Sequence, residues 1–130
     1  MKLSNSNRPK QSFPFTAVVG QEALKTALLL STIDPRIGGV LISGARGCAK
    51  STLARSLIDF LPEQSQLITL PLGASEEQLI GSLDLQAALS EQQVNFNPGL
   101  LYKAHQGILY IDEVNLLPDH LVDVLLDAAA

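Results

Sequence analysis

The stretch GGVLISGARGCAKSTLARSLIDFLP, residues 38–62, constrains the fold more than any other part of the chain. It opens with a short β-branched apolar run bounded by glycines, the pattern of a strand buried on both faces. A turn rich in glycine and alanine follows. Leu53, Leu57, Ile58 and Leu61 then recur on one helical face until Pro62 stops the pattern. Strand, glycine turn and helix in that order predict a parallel sheet, because parallel neighbours need a crossover connection.

The flanking sequence repeats the alternation. QEALKTALLLSTIDPRIGG places Leu24, Ala27, Leu28 and Ser31 at helical spacing up to Asp34-Pro35, which predicts a helix over about residues 20–33. QLITLPL reads as a second strand. Ser75 and Gln78 form a capping box for a short helix over EEQLIG. GILYIDE reads as a third strand, and LPDHLVDVLLDAAA as an amphipathic helix with Leu121, Val124, Leu125 and Ala128 inward. The whole is an α/β doubly wound pattern. From Leu72 to Gly107 the connection is longer than a crossover needs, so something is inserted there. Two segments around the polar SEQQ predict a β-hairpin, followed by a helical turn begun at Asn97-Pro98. LLDAAA has neither glycine nor proline to close its helix, which predicts that Ala130 is a truncation point.

Composition excludes several classes. A chain of 130 residues is the size of one domain or part of one. No apolar run reaches the roughly 18 residues of a membrane span, and residues 1–11 are polar without the apolar core of a secretory signal, so the expected location is cytoplasmic. A net charge of -4 gives no nucleic-acid footprint. Cys48 is the only cysteine, which excludes an internal disulfide and a cysteine-based metal cluster.

The turn after GGVLIS carries the first candidate site. Gly44, Lys50 and Ser51 fit the phosphate-binding pattern G-x-x-x-x-G-K-[ST], with Ala49 where that pattern has glycine. Polyphosphate needs backbone N–H donors that approach without intervening side chains, and a glycine turn feeding a helix supplies them. Gly44 and Gly47 allow the turn. Lys50 is the candidate for the β- and γ-phosphates of a nucleotide, and Ser51 for Mg²⁺. Ala49 adds a methyl group: a positive φ there costs about 1 kcal/mol, and a direct clash with phosphate costs more. Arg46 meets either phosphate or water, and Cys48 is a small loop residue. The second candidate lies at the tip of the third strand, where ligands bind in open α/β sheets. There Asp112 suits a metal through its waters, and Glu113 suits the attacking water of phosphoryl transfer. Asp119, Asp123 and Asp127 read as a solvated helix face, His105 and His120 lack ligand partners, Arg36 and Arg55 read as solvated charges, and Tyr110 as core.

The segments FTAVVGQEALKTALLL, IDPRIGGVLISGARGCAKSTLARSL, LPLGASEEQLIGSLDLQAAL and FNPGLLYKAHQGILYIDEVNLLPDHLVDVLLDAAA together resemble the ATPase subunit of magnesium chelatase, in the AAA+ superfamily. The resemblance covers nearly all of residues 13–130 and implies a P-loop NTPase fold of three layers with a parallel sheet and a β-hairpin inserted in the helix between strands 2 and 3. Residues 1–12 are then a flexible N-terminal tail and 13–130 a partial AAA+ ATPase domain. Gly44, Ala45, Arg46, Gly47, Cys48, Ala49, Lys50, Ser51 and Thr52 match the Walker A segment, Asp112 and Glu113 match Walker B, and Val19, Gly20 and Gln21 match the segment beside adenine.

The implied activity is ATP hydrolysis with Mg²⁺ in a homo-oligomeric ring, commonly a hexamer. That motor drives other chelatase subunits to insert Mg²⁺ into protoporphyrin IX. The sensor strand, arginine finger and helical lid of such proteins follow the position of Ala130, so residues 1–130 alone are expected to be inactive. Two other readings share the motifs. One is a nucleotide-binding scaffold subunit, which Ala49 favours. The other is a chaperone-like AAA+ ATPase that matures metalloenzymes, from which the GASEEQLIG stretch is expected to be missing.

Overall fold

The computed structural model describes residues 13–45, 49–90 and 94–130. The expected tail therefore lies outside the described residues, as do Arg46, Gly47 and Cys48 of the loop and Glu91 to Gln93 of the polar SEQQ tip. Helix α1 spans Glu22–Ile33, close to its expected limits. It ends at Asp34, whose side chain accepts bonds from the backbone N–H of Arg36 (3.0 Å) and from its guanidinium (2.9 and 2.7 Å). Helix α2, Lys50–Ser56, begins directly after the loop and tightens into a 3-10 turn over Leu57–Phe60.

The Asp34–Arg36 contacts set an acid-side expectation. The hydrogen bonds from the Arg36 side chain and backbone hold the Asp34 carboxyl below its ordinary pKa, and the guanidinium is held above its own. A carboxylate with a depressed folded-state pKa stabilises the fold above its unfolded pKa, and that contribution fades as pH falls through the lower folded value. An NMR titration of the Asp34 side chain should give a midpoint below that of the same residue in an Arg36→Ala variant.

Strand β1 (Leu67–Leu70) pairs in parallel with a strand Ile108–Ile111, with Thr69 opposite Tyr110. Between them the chain forms α3 (Glu76–Ile80), β2 (Gly81–Asp84), α4 (Leu85–Ser90), β3 (Asn95–Pro98) and α5 (Leu100–Lys103); the strand Ile108–Ile111 is β4 and the last helix, Asp119–Ala129, is α6. The capping box is present: Gln78 N–H donates to Ser75 Oγ (3.2 Å), and Ser75 N–H donates to Gln78 Oε1 (3.0 Å).

The insert is an antiparallel pair, β2 with β3, rooted between α3 and α5, which lie against each other. Two details differ from expectation. Residues 85–90 are helical, because LQAALS is made of good helix formers that the polar tip does not interrupt. Asn97 and Pro98 belong to β3, and the helical turn starts one residue after Gly99. Gly81 (φ 111) and Gly99 meet at the root of the pair, where a Cβ on Gly99 would run into the Leu79 carbonyl.

GGVLIS also differs. It forms no ladder with any described strand, and Leu41 is 81% exposed while Val40 and Ile42 are half-buried. The run is thus covered on one face by side-chain packing, and a strand without ladder bonds is only extended chain.

Two apolar clusters lie on opposite faces of β4. Phe15, Val18, Leu28, Leu53 and Leu57 form the first, with Val40, Ile42, Ala49 and Ile108 packed on it. Leu70, Ala74, Leu79, Leu117 and Leu121 form the second, with Leu109, Ile111, Val122, Val124 and Leu125 against it. Alternation along β4 sends Ile108 one way and Leu109 and Ile111 the other, which makes the sheet the middle of three layers. On α6, Ala128 is exposed and Val122 is partly buried instead, because the second cluster covers only the first two turns of the helix.

Candidate functional site

The loop and the strand tip are brought together by the first cluster. Leu53, fully buried one turn into α2, anchors the start of that helix beneath the loop. Gly44 has φ 154, and the space its missing side chain leaves is faced by the Lys50 ammonium at 3.9 Å. Lys50 Nζ donates to the Gly44 carbonyl, so the cation lies back over its own turn. Ala49 has φ 56 and ψ 16, the left-handed conformation that glycine adopts without penalty. The glycine in the loop pattern is thus explained by the backbone, and alanine here carries a conformational cost of about 1 kcal/mol.

Positive φ at residues other than glycine is uncommon and gathers where function over-determines the backbone. Among the described residues it occurs at Gln21, Ala49, Gln106 and Glu113. Three of these are candidate site residues. Gln21 caps α1, Ala49 caps α2, and Glu113 (φ 52, ψ 52) starts the 3-10 turn Val114–Leu116 immediately after β4. Nothing in the sequence marks Gln21 or Glu113 as left-handed, since neither is glycine or asparagine.

Asp112 and Glu113 are both exposed at the tip of β4. Ser51 is reached from the same strand by another group: the Tyr110 hydroxyl donates to Ser51 Oγ at 2.8 Å. Arg55, one turn further along α2, sets its guanidinium 5.3 Å from the Tyr110 ring centroid. Sequence reasoning missed both contacts. Tyr110 is half-buried and bonded rather than simple core, and Arg55, exposed as expected of a solvated charge, also lies over its ring.

Val18, Val19, Ala49 and Thr52 line an apolar cavity of about 440 Å³ beside the loop, together with Phe13 and Ala17. Val19, 95% exposed, lines it beside Ala49 and Thr52, while Gly20 and Gln21 are not in the lining. Phe13, Ala17 and Val18 are lining residues that no motif pointed to. An open apolar depression beside a phosphate-type loop is a place where a nucleotide base could rest.

The donor set also suits Mg²⁺. Among the described residues no three His, Cys, Asp or Glu side chains gather as a protein-only metal cage. Mg²⁺ binds through one or two protein oxygens and completes its shell with phosphates and waters, and the Ser51 hydroxyl and Asp112 carboxylate are ligands of that kind. Asp119, Asp123 and Asp127 are exposed along α6, and His105 and His120 are exposed as well. No described helix is long and apolar enough to cross a membrane.

A parallel pair with helices on both faces, a glycine-started turn before a helix, and adjacent carboxylates at the tip of β4 make up a P-loop arrangement. Residues 39–129 match the family model of the AAA domain (dynein-related subfamily), and the chain belongs to that family. Within it the chain is similar to magnesium-chelatase subunit ChlI of Nephroselmis olivacea (45% identity, covering 98% of this chain and 47% of that protein). It is similar to the same subunit of a Nostoc species (48%, 91% and 42%). In structure it matches a chain from the complex of magnesium-chelatase subunits BchI and BchD, with a TM-score of 0.78 and 43% identity, over 90% of this chain and 46% of that one. The chain spans a little under half the length of the curated relatives it matches.

Proposed function

We propose that this chain is the nucleotide-binding part of the AAA+ motor of a magnesium-chelatase-type complex, in which ATP hydrolysis drives metal insertion into protoporphyrin. The observation that carries the reading is the junction of Ala49-Lys50-Ser51, at the start of α2, with the end of β4 that leads into Asp112-Glu113. The chelatase relatives support the choice of complex.

In this reading Lys50 exchanges its bond to the Gly44 carbonyl for phosphate oxygens, a charge-assisted contact stronger than the one it gives up. Ser51 and, through water, Asp112 would hold Mg²⁺, and the ion would supply charge neutralisation at the phosphates. Glu113 orients the attacking water and takes its proton as the P–O bond breaks. The cavity beside Val19 receives the base. The ring, the partner subunits and a cytoplasmic location are parts of the same proposal.

Ala49 gives the scaffold reading its one supporting observation. The two are separated by ATP turnover of the full-length protein with its companion subunits, in wild type and Ala49→Gly forms. The motor reading expects turnover in both. It also expects the variant to be more stable to urea by on the order of 1 kcal/mol, as the left-handed alanine is relieved. No turnover in wild type, with activity appearing only in Ala49→Gly, would assign the chain to a scaffold.

A further inference from the structure

We propose that Tyr110 is a positioning residue for the divalent cation that accompanies the nucleotide, acting through the Ser51 hydroxyl; this rests on the loop being a nucleotide site. The two residues are 59 apart in sequence, and their 2.8 Å bond is the one side-chain hydrogen bond described between α2 and β4.

A serine hydroxyl has two acceptor positions and one proton. The phenol, the more acidic partner, donates into one acceptor position. The other is left for a cation, and the serine proton is left for a phosphate or carboxylate oxygen. All three positions can be filled at once, so Tyr110 need not let go when the cation arrives.

Its effect is on Ser51 rotation. Serine has no γ-methyl and samples its χ1 wells freely, whereas branching narrows a helical threonine to two of them. The Tyr110 bond selects one well for Ser51 before any ligand binds. Arg55 keeps Tyr110 in place in turn, since its guanidinium lies 5.3 Å from the ring centroid and comes from the same helix as Ser51, one turn away. The ring is further fixed by its place in the middle of β4, opposite Thr69.

The test is equilibrium titration of the full-length protein with a fluorescent ATP analogue, in excess EDTA and across a series of Mg²⁺ concentrations. Tyr110→Phe keeps the ring and removes the hydroxyl. Its expected effect is a roughly threefold to tenfold rise in the Mg²⁺ concentration needed for half-maximal tightening, the size of one hydrogen bond, with binding in EDTA unchanged. Adding Ser51→Thr to Tyr110→Phe should recover most of that loss, because the γ-methyl supplies the restriction that Tyr110 no longer gives. Equal weakening with and without Mg²⁺ overturns the proposal in favour of a purely structural role. So do an unchanged Mg²⁺ dependence and a tighter one, the latter meaning that Tyr110 competes with the cation for Ser51. Absence of nucleotide binding by wild type in every condition overturns the nucleotide reading of the loop itself, a result distinct from the other three.

Discussion

Glu113→Gln in the full-length protein should lower ATP turnover by about 10²–10⁴-fold, the contribution of a positioned general base, while leaving ATP binding near the wild-type level. Glu113 has φ 52 directly after β4, a conformation unfavourable for a branched-free but bulky acidic side chain, and the chain holds it there at the tip of the sheet. Glutamine keeps the size and polarity of the side chain and removes its basicity. Turnover should therefore fall at saturating ATP, with the apparent affinity little altered. Single-turnover hydrolysis and equilibrium binding measured side by side check both halves of the expectation.

The second large effect is on stability. Leu53→Ala should destabilise the fold by about 2–5 kcal/mol, as expected for emptying a buried leucine site. Leu53 is completely buried, packs with Phe15, Val18, Leu28 and Leu57, and lies one turn below the loop. The neighbouring Ser56 is equally buried but satisfied within its own helix, its Oγ donating to the Leu53 carbonyl at 2.9 Å, so no polar network can absorb the cavity. Urea denaturation of the wild type and the variant measures the difference. A loss well under 1 kcal/mol would mean that the first cluster does not anchor α2.

Much of this arrangement was legible in the chain. The limits of α1, the capping box at Ser75, β1, β4 and the start of α6 follow from apolar spacing and local side-chain chemistry, which act over a few residues. The loop was legible for the same reason: its glycine, lysine and serine occur within one short segment.

What was not legible depends on partners far along the sequence. GGVLIS has the composition of a strand, yet strand identity comes from ladder bonds, and none join it to the described strands. LQAALS precedes polar residues and so resembles a hairpin arm, whereas its own helix propensity decides the outcome. The Tyr110–Ser51 bond joins two segments whose separation no local pattern encodes. Only the alternation of Tyr110 with Asp112 along β4 hinted that the ring faces the loop side of the sheet. The left-handed backbone at Gln21 and Glu113 had no sequence signal, because strain held by tertiary packing does not require glycine. Ala49 was the exception. Its mismatch with the loop pattern raised the right question, and its φ of 56 answers it in favour of a modest backbone penalty.

In the proposed function residues 44–52 and Asp112-Glu113 form one ATP site, and Lys50 is its most direct probe. Titration of a fluorescent ATP analogue into the full-length protein, with far-UV circular dichroism as the check on folding, should show saturable, Mg²⁺-dependent binding by wild type. Lys50→Ala should bind roughly 10- to 100-fold more weakly with its fold intact, the loss expected for a charge-assisted contact. Equal affinity in the two proteins, or no saturable binding by wild type, would contradict the claim.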